Sequence, residues 1–249
     1  RLISELRAQN KEMYLLGLTA TPIYSDERYA GWLAKLFPQG FPQVVTAQDL
    51  MAQGILSQPI SEQAETHITP DFDEREYQKW IGTFRDVPEE IITQLAKNRE
   101  RNLYIAKYYA ENKEKYGKTL IFADRWYQCE AISEFLDQYG IKSGTVYSQI
   151  VDDNKTTDHK TRKCNDNSKT LEKFRNGELD VIINVRMLTE GTDVPDVKTV
   201  FITRQTTSQI LLTQMVGRAL RGPKFGGTDS AYLVFFIDDW KKLINWAEY

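Results

Sequence analysis

Short apolar segments alternate with helical segments through the second half of this sequence, and this alternation limits the possible folds more than any other feature. The predicted strands are Thr119–Ala123, Ser143–Tyr147, Val181–Val185, Thr199–Thr203 and Ala231–Ile237. Between them we expect helices over Gln128–Gln138, around Leu171–Arg175 and over Ser208–Leu220. Near-continuously apolar strands that alternate with helices are typical of an α/β fold, with a doubly wound parallel sheet covered on both faces. Ligands of such sheets bind beyond the carboxyl ends of the strands, so we expect the site residues to follow the strands.

The first half of the chain has a different pattern. We expect a helix over residues 1–9, a buried strand over Met13–Leu18 and a short helix over Tyr29–Leu36. Interruptions by proline predict a connector at 41–60, and a stretch rich in Glu, Lys, Arg, Gln and Tyr predicts helices at 73–116. The sequence therefore divides into residues 1–45, a connector and helical insertion at 46–116, and a domain at 117–249.

Composition excludes several classes of protein. The 249 residues carry a net charge of −3, so nucleic-acid contact requires a local groove rather than a basic surface. The two cysteines exclude a disulfide-dense secreted scaffold and are typical of a reducing compartment. No apolar run approaches the roughly 18 residues of a membrane span, and residues 1–10 lack the apolar core of a signal peptide. We therefore expect a cytoplasmic protein without membrane contact.

A polar stretch from Ser148 to Lys169 predicts a mobile loop, because it can bury little apolar surface. It contains His159 and Cys164, but two ligands do not make a zinc site, so no metal site is predicted.

The segment TSQILLTQMVGRALRGP places three polar residues on one helical face. Gln214, Arg218 and Arg221 have i, i+4, i+7 spacing, and Gly222-Pro223 ends the predicted helix. A solvated stripe explains this pattern as well as a site does, because basic residues near a helix C-terminus are favoured by the helix dipole.

The segment VIINVRMLTEGTDVPDVKTVF follows a predicted buried strand with a polar loop. Thr189 offers a hydroxyl, Gly191 permits close backbone approach, and Asp193 offers a carboxylate. For this segment taken alone, an ordinary strand-to-strand loop with turn residues is the favoured explanation.

Taken together, these segments resemble the C-terminal half of superfamily 2 helicases of the DEAD/DEAH type. Residues 189–195, TEGTDVP, resemble motif V, and residues 214–221, QMVGRALR, resemble motif VI. Residues 119–124, TLIFAD, are similar to motif IV, and residues 18–22, LTATP, to motif III. The sequence around these motifs is most similar to that of the restriction, repair and phage-defence branch.

The resemblance implies a RecA-like sheet and a function in ATP-dependent movement along nucleic acid, with DNA favoured over RNA. ATP and Mg²⁺ would lie between two RecA-like domains, bound mainly by the first domain of the parent enzyme. Residues 1–45 would be the tail of that first domain, and residues 117–249 the second domain. By resemblance, Arg218 and Arg221 are the catalytic arginines, and Gly191, Asp193 and Gln214 bind ATP. The resemblance further implies that Arg125, Ser148, Asn184 and Thr189 contact nucleic acid, and that Thr19 and Thr21 couple the two sites.

The phosphate-binding P-loop and the acidic DExx motif of such enzymes are absent from this sequence. The run Gly117-Lys118-Thr119 is similar to the end of a P-loop, but the position of its first glycine is Asn112, and the run opens a strand rather than a helix. A small P-loop kinase is therefore disfavoured. We expect that the chain alone hydrolyses no ATP. A catalytically silent module with a helicase-like fold remains the alternative.

Overall fold

A computed structural model describes residues 2–10, 12, 14–17, 31, 35, 37, 40, 45–71, 87–147, 164–185, 194, 196–204, 209–218 and 220–239. They divide into two compact units, Arg1–Pro42 and Gln43–Tyr249.

The first unit begins with helix α1, Leu2–Gln9, as the sequence predicts. The buried strand predicted at Met13–Leu18 is wrong for its described part. Residues 14–17 form no strand, and Tyr14 and Leu16 are 97% and 78% exposed. A strand needs a neighbour to take up its backbone hydrogen bonds, and residues 14–17 pair with no strand in the described part of the chain. The short helix predicted at Tyr29–Leu36 lies largely outside the described residues.

The second unit contains a six-stranded parallel sheet. Its strands are β1 (Gln58–Glu65), β2 (Thr119–Phe122), β3 (Ser143–Tyr147), β4 (Val181–Val185), β5 (Thr199–Ile202) and β6 (Ser230–Ile237). Their order across the sheet is β1-β6-β5-β2-β4-β3, and every neighbouring pair is parallel. The five predicted strands are confirmed to within a residue at each end.

Helices connect and cover these strands. They are α2 (Ala47–Ala52), α3 (Glu89–Lys97), α4 (Arg99–Glu111), α5 (Lys113–Tyr116), α6 (Trp126–Gln138), α7 (Cys164–Arg175) and α8 (Gln209–Gly217), and a 3-10 turn lies at Pro223–Phe225. The N-terminus of α4 is capped by the Asn98 side chain, which accepts a hydrogen bond from the Arg101 amide at 2.8 Å. Between α5 and β2, Gly117 adopts a φ of 54°. The run Gly117-Lys118-Thr119 therefore joins a helix to a strand, opposite to the strand-to-helix order of a P-loop.

Alternate strand residues face two separate cores. Ile121, Phe201 and Phe236 pack with α4 and α6 on one face. Leu120, Phe122 and Ile202 pack with Phe174 of α7 and Met215 of α8 on the other. Both faces are therefore covered, which confirms the doubly wound, RecA-like architecture.

Four elements of the second unit differ from the sequence prediction. Strand β1 and helix α2 lie where a connector was expected. The proline at position 59 is compatible with β1 because β1 is an edge strand of the described sheet, where one side of the strand needs no ladder donor. Residues 164–169 belong to α7 rather than to the predicted loop, and Asn167 anchors this turn by donating to the Tyr147 carbonyl at 2.9 Å. The rest of that loop, residues 148–163, lies outside the described residues. Finally, α8 ends at Gly217 rather than at Leu220. The segment boundaries predicted at 45 and 116 stay predictions, although α4 packs directly on the sheet.

Candidate nucleotide and nucleic-acid site

The carboxyl edge of the sheet holds two buried ion pairs among the described residues. Arg101 Nε donates to Asp238 Oδ1 at 2.7 Å, and both side chains are fully buried. Arg204 Nε lies 3.9 Å from Asp124 Oδ1, with the side chains 9% and 2% exposed. Asp124, Arg204 and Asp238 follow β2, β5 and β6, respectively. Buried charges are costly without partners, so each side chain of these pairs holds the other in place. Both pairs lie at the carboxyl edge, where a parallel sheet binds its ligands.

Arg101 links helix α4 to the ends of three strands. Besides its bond to Asp238, its Nη2 donates to the Thr203 carbonyl at 2.8 Å, at the end of β5. Asp238 Oδ1 also accepts from Thr66 Oγ1 at 2.6 Å, at the end of β1. The Nη1 atom of Arg101 is buried without a hydrogen-bond partner among the described residues.

Arg125, a predicted nucleic-acid contact, lies at this edge immediately before α6. Its Nη2 bonds to the Glu89 carboxylate at the start of α3, and its Nη1 lies 3.1 Å from the Asp124 carbonyl oxygen. The side chain of Arg125 is 20% exposed and that of Glu89 is 75% exposed. The guanidinium is therefore close to solvent but already has a carboxylate partner.

Asn184 does not have the surface position that a nucleic-acid contact requires. It lies within β4, is fully buried, and donates from Nδ2 to the Ile121 carbonyl of β2 at 3.1 Å. Its side chain therefore links β4 to β2, and the predicted nucleic-acid contact of Asn184 stays a prediction.

The motif VI segment is split between a helix and an extended segment. Gln214 is half-buried on α8, whereas Arg218 and Arg221 lie beyond its end and share no helical face with Gln214. Residues after the helix pair with the chain before β1: Ser57 N donates to Leu220 O at 3.2 Å, and Gly222 N donates to Ile55 O at 2.9 Å. A helix continued to Leu220 would lose these bonds.

Arg221 also lies at an unexpected edge of the sheet. It forms an isolated antiparallel bridge with Leu56, next to the first residues of β1 and β6. The chain thus runs along α8 from the carboxyl edge back to the amino edge. Arg221 therefore lies away from the carboxyl edge, and its role as a site residue stays a prediction.

The other predicted site residues lie outside the described part of the chain. These are Thr19 and Thr21 of the motif III segment, Ser148 after β3, and Thr189, Gly191 and Asp193 of the motif V segment. Their roles stay predictions.

The described residues offer no metal centre of their own. No group of three or more His, Cys, Asp or Glu side chains is placed to hold an ion in the described ranges. Burial raises the pKa of the Cys129 thiol well above its usual value, so this group stays protonated and is a poor nucleophile. In the same part of the chain, no helix has the length and apolar character needed to cross a membrane.

Sequence reasoning missed four residues of this architecture: Ser57, Arg101, Arg204 and Asp238. A charged residue directly after a buried strand is the signal that identifies Arg204 and Asp238. Ser57 and Arg101 carry no such signal, since their partners are 164 and 137 residues away in sequence.

Comparisons with known proteins identify this region. The helicase conserved C-terminal domain family matches residues 100–223. The putative ATP-dependent helicase IRC3 of Saccharomyces cerevisiae is 32% identical over 151 residues, which make up 59% of this chain and 19% of that protein. UvrABC system protein B of Thermotoga neapolitana is 32% identical over 97 residues, 37% of this chain and 13% of that protein. The chain thus spans less than a fifth of the length of these relatives.

Among solved structures, the E. coli DEAD-box protein SrmB, bound to regulator of ribonuclease activity A, aligns with a TM-score of 0.45 and 14% identity. The alignment covers 59% of this chain and 75% of that chain. Residues 100–223 thus match the helicase conserved C-terminal domain family, and the parallel sheet covered on both faces agrees with this match.

Proposed function

We propose that this chain is the second RecA-like part of an ATP-dependent helicase or translocase that moves along nucleic acid. The observation that carries the proposal is the family match over residues 100–223, which includes Gln214, Arg218 and Arg221. The P-loop, the acidic motif and most contacts to ATP and Mg²⁺ are assigned to a first RecA-like domain of the same enzyme.

Arg218 and Arg221 are proposed to contact the phosphates of ATP from across the cleft between the two domains. ATP supplies a γ-phosphoryl group whose oxygens gain charge during transfer to water. A positioned guanidinium offsets that charge, and an arginine of this kind contributes about 10³–10⁵ in rate. Lysine is a poor substitute, because only the planar guanidinium engages two oxygens together. Gln214, Gly191 and Asp193 are assigned to the nucleotide on the same resemblance.

A single strand of nucleic acid is proposed to cross the carboxyl edge of the sheet. Arg125 is half-buried at this edge and is the described residue suited to a backbone phosphate. Ser148 and Thr189 are assigned as hydroxyl donors to the same strand, and Thr19 and Thr21 as the link between the two sites. Contacts to phosphates position a strand without reading its sequence. From the sequence around the motifs, we assign the enzyme to the restriction, repair and phage-defence branch. We also favour DNA over RNA as the strand that it binds.

The test uses the full-length enzyme, with this chain joined to a P-loop domain. ATP hydrolysis stimulated by a single strand is measured for Arg218→Ala, Arg221→Ala and the matched control Arg175→Ala, which removes an exposed arginine at the end of α7. We expect each motif VI variant to lower kcat by about 10³-fold or more with far less change in KM, because a transition-state contact acts on kcat. Turnover like that of Arg175→Ala would overturn the proposal. The 249-residue chain alone should show no ATP turnover, and Lys118→Ala should leave that result unchanged.

A further inference from the structure

The chain before β1 forms a backbone clamp on the residue proposed as a catalytic arginine. Residues 54–57 and 220–224 pair through three bonds: Ser57 N to Leu220 O at 3.2 Å, Gly222 N to Ile55 O at 2.9 Å, and Lys224 N to Gly54 O at 3.1 Å. Arg221 lies in the middle of this pairing, opposite Leu56. The clamp therefore determines the backbone path of Arg221 from a segment more than 160 residues earlier in the chain.

Within the clamp, the Ser57 side chain bonds directly to the Arg221 backbone. Its Oγ lies 2.5 Å from the carbonyl oxygens of both Arg221 and Thr228, and Ser57 is fully buried. A hydroxyl has a single proton, so that proton is shared between two acceptors that would otherwise face each other. The Arg221 carbonyl also accepts from Thr228 N at 3.0 Å. Ser57 thereby joins three chain segments at one buried point.

Two glycines make this approach possible. A Cβ at Gly222 would lie 2.3 Å from the Gly54 carbonyl oxygen, and a Cβ at Gly227 would lie 1.8 Å from the Arg221 carbonyl oxygen. Both distances are below any real contact, and the atoms involved are backbone. The segments around Arg221 are thus packed as closely as the chain allows, and little freedom remains for the arginine backbone.

We propose that Ser57 is a positioning residue that sets the placement of the Arg221 guanidinium. This proposal rests on the proposed function, in which Arg221 contacts ATP. The arginine has four side-chain torsions but a single backbone anchor, so a shift of that anchor moves every position that the guanidinium can reach. Misplacement of a catalytic group by about 1 Å can cost 10²-fold in rate. Ser57 therefore acts on turnover through Arg221, without contacting ATP itself.

The test is a double-mutant cycle in the full-length enzyme. Ser57→Ala is made in the wild-type and Arg221→Ala backgrounds, and kcat, KM and melting temperature are measured. Thr199→Val is the matched control, because Thr199 is also fully buried and donates from its hydroxyl to a backbone carbonyl, that of Tyr116, at 2.7 Å. We expect Ser57→Ala to lower kcat by about 10- to 100-fold with Arg221 present, and by less than about 2-fold in its absence. We expect Thr199→Val to lower the melting temperature without changing kcat.

Equal losses of kcat in both backgrounds, or a kcat for Ser57→Ala that matches Thr199→Val, would overturn the positioning role. If Ser57→Ala yields no folded enzyme, Ser57→Cys goes through the same cycle, since a thiol keeps the volume but is a weak donor. Normal turnover of Arg221→Ala would overturn the proposed function, and this inference with it. Failure of the inference alone leaves Arg221→Ala slow, while Ser57→Ala shows no loss of kcat that depends on Arg221.

Discussion

Arg101 and Asp238 form a fully buried ion pair across the carboxyl edge of the sheet, with Nε and Oδ1 2.7 Å apart. Arg101 lies on helix α4, and Asp238 directly follows strand β6. Since Arg101 also holds the Thr203 carbonyl, one side chain ties α4 to both β5 and β6. Helix α4 is therefore an integral part of the domain that the parallel sheet forms.

We expect Arg101→Ala to destabilise the chain by about 3–5 kcal/mol, because it leaves the Asp238 carboxylate buried without its cation. Urea unfolding measures the change. Lys107→Ala is the control: it removes an exposed pair with Glu111, 3.6 Å away on the same helix, and should cost under about 0.5 kcal/mol. Equal losses for the two variants would show that the buried pair contributes nothing specific.

Two glycines near motif VI should respond oppositely to alanine. Gly222→Ala forces a Cβ against the Gly54 carbonyl, so we expect a loss of about 1–3 kcal/mol from overpacking. Gly217 ends α8, and a Cβ there meets no atom within 4 Å in the described part of the chain outside its own helix, so Gly217→Ala should be neutral or stabilise by up to about 1 kcal/mol. Thermal unfolding by circular dichroism compares the two variants. A Gly222→Ala protein as stable as the wild type would contradict the close backbone packing.

The sequence predicts the sheet well because each central strand is apolar on both sides. Ile121 and Phe122 face different cores, so both faces favour apolar residues, and the apolar run is visible without any knowledge of partners. Strand β1 gives no such signal: at the sheet edge only Ala64 of its eight residues is buried, and its sequence resembles a connector. Edge strands are defined by their neighbour, which local sequence does not reveal.

The same reasoning explains the partial success at the site. The i, i+4, i+7 spacing identifies Arg218 and Arg221 as candidates, and the resemblance to superfamily 2 helicases implies a role for them. Spacing also predicts a helix through Leu220, whereas pairing with residues 54–57 draws the chain into an extended path. Long-range backbone bonds override the local helical preference, and no pattern within residues 208–223 reveals them.

Buried tyrosines should make the domain lose stability at high pH. Burial raises the pKa of Tyr109, whose hydroxyl donates to the Gly117 carbonyl at 2.9 Å, and burial is also the largest cause of the raised pKa of Tyr116. A phenol whose pKa is raised by folding contributes stability in full below its unfolded value of about 10. That stability is lost as pH rises from there through the folded pKa.

Tyr109→Phe should therefore reduce the loss of stability between about pH 8 and about pH 11, while costing about 1 kcal/mol at neutral pH for the lost hydrogen bond. Urea midpoints at the two pH values measure the difference. Tyr139→Phe changes a tyrosine that is 43% exposed and should keep the wild-type dependence. If Tyr109→Phe and wild type lose equal stability, the buried phenol is not the cause.

The pair of Arg125 and Glu89 gives the sharpest test of where nucleic acid binds. Under the proposed function, the Arg125 guanidinium must exchange the Glu89 carboxylate for a backbone phosphate. Arg125→Ala should therefore weaken binding of a single strand and reduce the slope of log affinity against log salt by about 0.7 in magnitude, the value for one phosphate contact. Glu89→Gln should strengthen binding, because it removes the competing carboxylate.

Matched controls separate this contact from net charge. Lys113→Ala removes a cation that pairs with Asp180 at 3.0 Å on the amino side of the sheet, and Glu111→Gln removes an exposed carboxylate at the end of α4. Both should change binding far less than the Arg125 and Glu89 variants. The gain from Glu89→Gln should also vanish when Arg125 is alanine, because the carboxylate acts through that guanidinium. If Arg125→Ala and Lys113→Ala weaken binding of the single strand equally, only the net charge of the domain matters at these positions. The strand would then have to cross the domain away from Arg125.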